Sequence, residues 1–237
     1  MNFLGHLYLS GENDEIRIGN FIADAVKGRS YMDYNNGIQK GIILHRSIDK
    51  FTDTHAVFIQ SKQKINAQFS YFSGIVIDIF YDHFLSHNWI NYSKIPLDLF
   101  TQSAYNLMLS NFSLLPDKVK YFLPFMVKNN WLKIYGEIEG VERVLNGLSK
   151  RTSLPNKTGH AISVLEENYH ELKAEFHLFF TDIIQHMEKN EGISLKIHAW
   201  NVLIFYKMSY NCMVIKVSIN CIKRGKTFFL SKTLLVL

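Results

Sequence analysis

Between residues 161 and 189, AISVLEENYHELKAEFHLFFTDIIQHMEK, the apolar positions Ile162, Leu165, Tyr169, Leu172, Phe176, Phe179, Ile183 and Met187 recur at steps of three and four. That spacing draws one continuous stripe down a helix, and such a stripe is stable only when buried against other elements. The same period predicts helices over 17–28, 38–52, 56–87, 97–110, 117–136 and 138–149. In RIGNFIADAVKG, for instance, Ile18, Phe21, Ile22 and Ala25 share one side, and Gly28 supplies a stop signal. Breaks fall at NYSKIP (91–96), SLLPD (113–117) and RTSLPNKTG (151–159). The chain has four prolines, and its body shows no alternating strand pattern, repeat or low-complexity tract. The expected fold is therefore a single compact all-α domain of about seven helices. One segment is open to a second reading, because the β-branched density around Gly74, Ile75, Val76 and Ile77 also suits a strand.

That domain is expected to span residues 1–192, since the chain beyond it differs in kind. Residues 195–237 hold seven of the 26 Lys and Arg, both cysteines (Cys212 and Cys221) and no Asp or Glu. Lysines cut their apolar runs well short of the roughly 18 residues a membrane span needs. The segment 193–237 reads as an irregular basic tail, either a read-through or frame-shifted end or a short β-rich or membrane-surface appendage, and no catalytic residue is expected there. Without it, 19 basic residues face 21 acidic ones in 1–194, so the formal charge of +5 does not describe a basic surface and nucleic-acid binding is not expected. A body without cysteine excludes a disulfide framework or a thiolate metal site there, and cytoplasm is the expected location. The opening MNFLGHLYLSGENDE lacks a basic n-region and is not read as a signal peptide.

Chemistry enters through polar residues placed where apolar helices should not want them. Asn20 and Asp24 stand four apart with Lys27 one turn beyond; His45, Asp49 and Asp53 follow the same step; Asp78 and Asp82 repeat it, with His83 adjacent. A buried carboxylate is costly unless a hydrogen bond, a cation or a metal meets it. Two or three aspartates with two histidines make a mixed nitrogen and oxygen donor set suited to Mn²⁺, Fe²⁺ or Zn²⁺. A divalent ion so held acidifies water toward neutral pH, which suits phosphoester hydrolysis. Taken singly, each group has a plainer account: Asp49 paired with Arg46 or Lys50, Asp24 with Lys27, His45 as a satisfied histidine. His55, His87, His160, His170, His177 and His186 keep that plainer account, and the aromatic wealth, Phe80, Tyr81 and Phe84 included, reads as core.

The strings MNFLGHL, GNFIADAVKG, GIILHRSIDKFTDTH, DIFYDHFL, WLKIY (131–135) and VLNGLSKR (144–151) occur in the order found in acyl carrier protein phosphodiesterases. Over roughly residues 1–190 the chain resembles that family, a divergent branch of the HD phosphohydrolase superfamily whose His-Asp pair stands here reversed as Asp82–His83. The resemblance implies an HD-like all-α fold, Mn²⁺ as cofactor, and cleavage of the phosphodiester joining 4′-phosphopantetheine to a serine of acyl carrier protein. On that footing the metal shell is expected to be Asp24, His45, Asp49 and Asp82, with Asp78 and His83 as further ligands or orienting groups and His6 at the rim. Arg46 and Lys27 are expected to stabilise phosphoryl charge, and the leaving serine needs an acid, for which His83, His55 and a metal-bound water stay open. An acidic carrier protein needs basic docking residues, expected to be Lys27, Arg29, Arg46 and Lys50. Two other readings stand beside this one: a metal phosphohydrolase acting on a nucleotide or other small phosphoester, and a non-catalytic helical binding module.

Overall fold

Three asparagines start the helices that matter most here. The Asn2 side chain accepts from Phe3 N (2.8 Å), that of Asn13 from Ile16 N (3.0 Å) and that of Asn35 from Ile38 N (2.9 Å), each satisfying a donor that a helix start leaves unpaired. They open α1 (Phe3–Leu9), α2 (Asp14–Ile22) and α3 (Asn36–Thr54). The chain then runs through α4 (Ala56–Gln63), α5 (Asn66–Phe69), α6 (Ser73–His87), α7 (Leu97–Ser110), α8 (Asp117–Lys128), α9 (Trp131–Ile134), α10 (Ile138–Arg151), α11 (Thr158–Glu167) and α12 (Tyr169–His186). These come from a computed structural model that describes residues 1–195; the tail expected from 193 lies, beyond Leu195, outside the described residues. Among the described residues there is no strand, and no helix is long and apolar enough to cross a membrane.

Every segment expected to be helical contains helix, but the one over 17–28 ends at Ala25, leaving 26–28 as loop, and three others are divided, each for a local reason. The stretch 56–87 breaks around Ser70, whose φ of 46° leaves the right-handed region. The stretch 117–136 breaks at Asn130 (φ 45°), a residue type that tolerates the left-handed conformation. The long stripe of 161–189 is cut at Asn168, whose side-chain amide donates to Val164 O (2.9 Å) and closes α11 before α12 begins. α1 was not expected as a helix at all. It is short, and its stability comes from tertiary partners more than from its own propensity.

The core forms around α6. Val76, Ile77, Ile79, Phe80, Tyr81, Phe84 and Leu85 are all fully buried, so this helix is covered on nearly every side. That explains its ambiguous sequence: a helix buried all round shows a continuous apolar run instead of a 3.6-residue period. α12 packs on it through aromatic contacts, with Tyr81 and Phe179 ring centroids 5.1 Å apart and Tyr81 and Phe176 5.5 Å apart. Each buried phenylalanine contributes about 1.5–3 kcal/mol of hydrophobic stabilisation, so this aromatic block fixes the frame on which α1, α2 and α3 are mounted.

α2 and α3 cross with their backbones in contact. A methyl group added at Gly19 would fall well inside the van der Waals contact distance of Ile38 O and 2.9 Å from Gly41 Cα; one added at Gly41 would lie 2.8 Å from Asn20 N. Only glycine at both positions permits this approach. It carries Asn20 on α2 to within hydrogen-bonding distance of His45 on α3.

Candidate metal centre

Asn20 is fully buried and its hydrogen bonds leave no freedom of orientation. Its amide nitrogen donates to His6 O (2.9 Å) and to Ser10 Oγ (2.8 Å), while that hydroxyl donates to His6 O (2.8 Å). Turning the amide over would set its oxygen against the His6 carbonyl, so the oxygen must face the other way. There it lies 2.9 Å from His6 Nδ1 and 2.9 Å from His45 Nδ1. A carboxamide oxygen only accepts, so both Nδ1 atoms carry their protons.

The consequence falls on the other ring nitrogens. With Nδ1 protonated, each neutral imidazole presents a lone pair at Nε2. His6 Nε2 lies 3.3 Å from Asp49 Oδ1; His45 Nε2 lies 3.2 Å from Asp49 Oδ2 and 3.3 Å from Asp24 Oδ1. Acceptor facing acceptor is repulsive unless a proton or a metal cation stands between them. Protonating both rings is disfavoured, because they stack with centroids 4.0 Å apart and are both buried.

Titration behaviour divides the two histidines. Burial pulls His6 down to about 4, a hydrogen bond to Asp49 only partly opposing it. Burial also works against charge on His45, but hydrogen bonds to Asp24 and Asp49 outweigh it and raise that ring to about 9. Burial works to raise Asp49, yet its bonds to His45 and His6 hold the carboxyl well below its ordinary range; Asp24 is lowered chiefly by its hydrogen bond to His45. The cluster is thus two ionised carboxylates and at least one neutral imidazole gathered in one place, an arrangement that attracts positive charge.

The donors fit a divalent ion. The ligand atoms of His6, His45 and Asp49 lie within 4.8 Å of one another, and Asp24 adds a second carboxylate beside His45. Two imidazole nitrogens with carboxylate oxygens suit Mn²⁺, Fe²⁺ or Zn²⁺ better than an all-oxygen Ca²⁺ cage. Asn20 then plays the part of the group that fixes ligand tautomer and ring orientation. The site opens into a cavity of about 240 Å³, whose wall also includes Phe3, Phe21, Thr52, Asp53 and Asp78.

Of the six residues expected as ligands, the structure brings Asp24, His45 and Asp49 together, and joins to them His6, expected only at the rim. Asp78 lines the cavity, but its Oδ1 is bound to the Met1 amino nitrogen at 2.6 Å, and burial raises its pKa. Asp82 is not brought to the cluster. It is fully buried, with Oδ1 accepting from Asn2 N (3.1 Å) and Gly5 N (3.3 Å) and Oδ2 from Leu4 N (2.8 Å); burial pushes it up to about 7 although these bonds favour its charge. It caps the start of α1 and so positions the helix that carries His6. His83, next along α6, projects about 100° away from it. Its Nδ1 meets Tyr135 O (2.7 Å) and its Nε2 meets Tyr169 Oη (3.1 Å), and burial lowers it to about 4.

The other expected residues do not line the cavity. Arg46 donates to Gly28 O (3.0 Å) and Val26 O (3.4 Å) and lies over the Tyr31 ring (5.1 Å), tying down the loop after α2. That loop carries Lys27 and Arg29, and these, like Lys50 on α3, are exposed. His55 pairs through Nε2 with Asp182 (3.2 Å) and, like His83, does not line the cavity. The role of Asn20 was not legible in the sequence. Its signal was its place one turn before Asp24, and a neutral amide does not stand out among carboxylates.

An all-helical domain with two imidazoles and two carboxylates converging on one open cleft defines the class: a helical protein with a candidate divalent-metal centre. Residues 1–183 match the model of the family described as acyl carrier protein phosphodiesterase. A relative of that name from Klebsiella pneumoniae (strain 342) is 31% identical over 195 residues, covering 81% of this chain and 100% of its own. Another so named, from Photorhabdus laumondii, is 29% identical over 192 residues, covering 81% and 97%. One from Serratia proteamaculans is 28% identical over 186 residues, covering 78% and 96%. No solved structure matches. The chain belongs to the acyl carrier protein phosphodiesterase family.

Proposed function

We propose that this chain is a divalent-metal-dependent hydrolase that cleaves the phosphodiester between 4′-phosphopantetheine and the serine of holo acyl carrier protein, leaving the apo carrier. The observation that carries the metal dependence is the pair of Nε2 atoms that Asn20 turns toward the carboxylates of Asp49 and Asp24. His6, His45, Asp49 and Asp24 would hold the ion, with Mn²⁺ the metal proposed. When bound, it supplies Lewis-acid stabilisation of phosphoryl charge and a water acidified toward neutral pH.

The protein's own residues do the rest. Asn20 keeps both imidazoles in the ligating tautomer, and Asp82 holds α1 so that His6 reaches the cluster. Arg46 fixes the loop that carries Lys27, and Lys27 and Arg46 are the cations proposed to meet phosphoryl oxygens. Lys27, Arg29, Arg46 and Lys50 form the proposed basic rim for an acidic carrier. The cytoplasm is the proposed location of the reaction. The test is incubation of holo acyl carrier protein with the full chain and Mn²⁺ under mass spectrometry. The wild type is expected to release the prosthetic group and Asp49→Asn to leave the carrier intact; an intact carrier with wild type in Mn²⁺, Fe²⁺ and Zn²⁺ alike contradicts the reading.

A further inference from the structure

A second cavity, of about 360 Å³, meets the metal cleft at Asn2 and Phe3, which line both. That size lies in the roughly 300–1,000 Å³ range of small-molecule sites. Its character differs from the first. The cleft is lined by histidines and aspartates; the second cavity is walled by Phe3, Trp131, Ile134, Val144 and Leu148, with Arg143 and Arg151 beside them. The two are linked by a run of rings: Phe21 to Phe3 at 5.4 Å, Phe3 to Phe122 at 5.7 Å, and Phe122 to Trp131 at 6.3 Å and almost parallel. The Arg151 guanidinium lies over the Trp131 face at 5.3 Å.

A phosphodiester has an organic group on each side of phosphorus, so a site that cleaves one between a protein and a small chain needs two unlike approaches. The exposed cations Lys27, Arg29 and Lys50 belong to the loop after α2 and to α3, where a folded acidic protein can rest. The second cavity, bounded by α8, α9 and α10, is too small for a folded protein and of a size for a flexible chain. An uncharged chain bearing two amides and methyl groups matches apolar walls with guanidinium donors at their edge. We propose that this second cavity takes the pantetheine arm, threaded past Phe3 from the His6, His45 and Asp49 cluster. This rests on the functional reading above and adds where the non-protein half of the substrate lies.

Gly147, on the cavity wall, gives a way to test it, because a side chain there meets first the flexible end of Arg151 (3.1 Å from an added methyl) and not backbone. Isothermal titration of the Mn²⁺-loaded full chain would compare 4′-phosphopantetheine with inorganic phosphate, which lacks the arm. Wild type is expected to bind 4′-phosphopantetheine more tightly than phosphate. Gly147→Phe, which fills the cavity, should weaken 4′-phosphopantetheine about tenfold or more while leaving phosphate within about twofold. Arg151→Ala, at an exposed position, should shift the same ligand in the same direction and decides the matter if Gly147→Phe does not fold. Equal binding of the two ligands by wild type, equal weakening of both by the variants, or no weakening of either overturns the proposal. If the arm binds as expected but holo carrier is not cleaved, the activity fails and the cavity assignment stands; cleavage with unaltered 4′-phosphopantetheine binding in the variants gives the reverse.

Discussion

Asn20 is the residue on which the site's electrostatics turn, since one uncharged oxygen fixes the protons of two imidazoles. Replacing it by leucine of similar size leaves both Nδ1–H groups and the Ser10 and His6 partners without it. Each buried unsatisfied group costs about 1–3 kcal/mol, and loss of an orienting partner typically costs 10- to 100-fold in metal affinity. Asn20→Leu is therefore expected to lower the thermal unfolding midpoint and to weaken Mn²⁺ binding at least about tenfold by calorimetry; unchanged Mn²⁺ affinity would remove Asn20 from the account. At this scale the sequence was partly legible. His45 and Asp49 lie one turn apart and meet the same cleft because a helix forces them to. Asp78 and Asp82 repeat that spacing, with His83 adjacent, but α6 is buried nearly all round, and spacing along such a helix does not say which neighbour each face meets. Asp82 meets the start of α1, and His83 meets Tyr135 and Tyr169.

Among the elements, the contact that matters is the crossing of α2 and α3 at Gly19 and Gly41. The site needs Asn20 and His45 at hydrogen-bonding distance, and that requires two backbones to touch. A methyl at Gly41 would press on Ile16 O and on Asn20 N, both backbone and neither able to step aside. Gly41→Ala is expected to destabilise the fold by about 1–3 kcal/mol in denaturant unfolding and to weaken Mn²⁺ binding by parting the helices; retention of both stability and affinity would show that the crossing does not set the site. Helix positions were largely readable from periodicity, as in α7, expected at 97–110 and found at Leu97–Ser110. The breaks at Asn130 and Asn168 were not, because an isolated asparagine inside an apolar pattern is compatible with either a helix or a stop. α1 was hidden too, being held by Asp82 from 77 or more residues away.

For the molecule as a whole, charge is distributed rather than abundant. Residues 1–194 carry slightly more acidic than basic side chains, so docking of an acidic carrier has to rely on a local rim. The triple exchange of Lys27, Arg29 and Lys50 for Glu is expected to raise KM for holo carrier about tenfold or more, with an effect that shrinks as salt rises, while Mn²⁺ affinity stays near wild type. A KM that does not move would set the docking surface elsewhere. The all-α character was readable at this scale because period, scarce proline and missing alternation agree. The joining of His6 to His45 and Asp49 was not, since it depends on how α1 seats against α2, α3 and α6, and no local pattern encodes that seating.

The most direct test is Mn²⁺ binding by the full chain, measured calorimetrically for wild type, His6→Ala, Asp49→Asn and His83→Gln. A saturable site in wild type that weakens at least about 100-fold in His6→Ala and Asp49→Asn, yet persists in His83→Gln, is the expected result. Mn²⁺ affinity that survives His6→Ala, or that is lost with His83→Gln, would contradict the claim that α1 and α3 build the metal centre together.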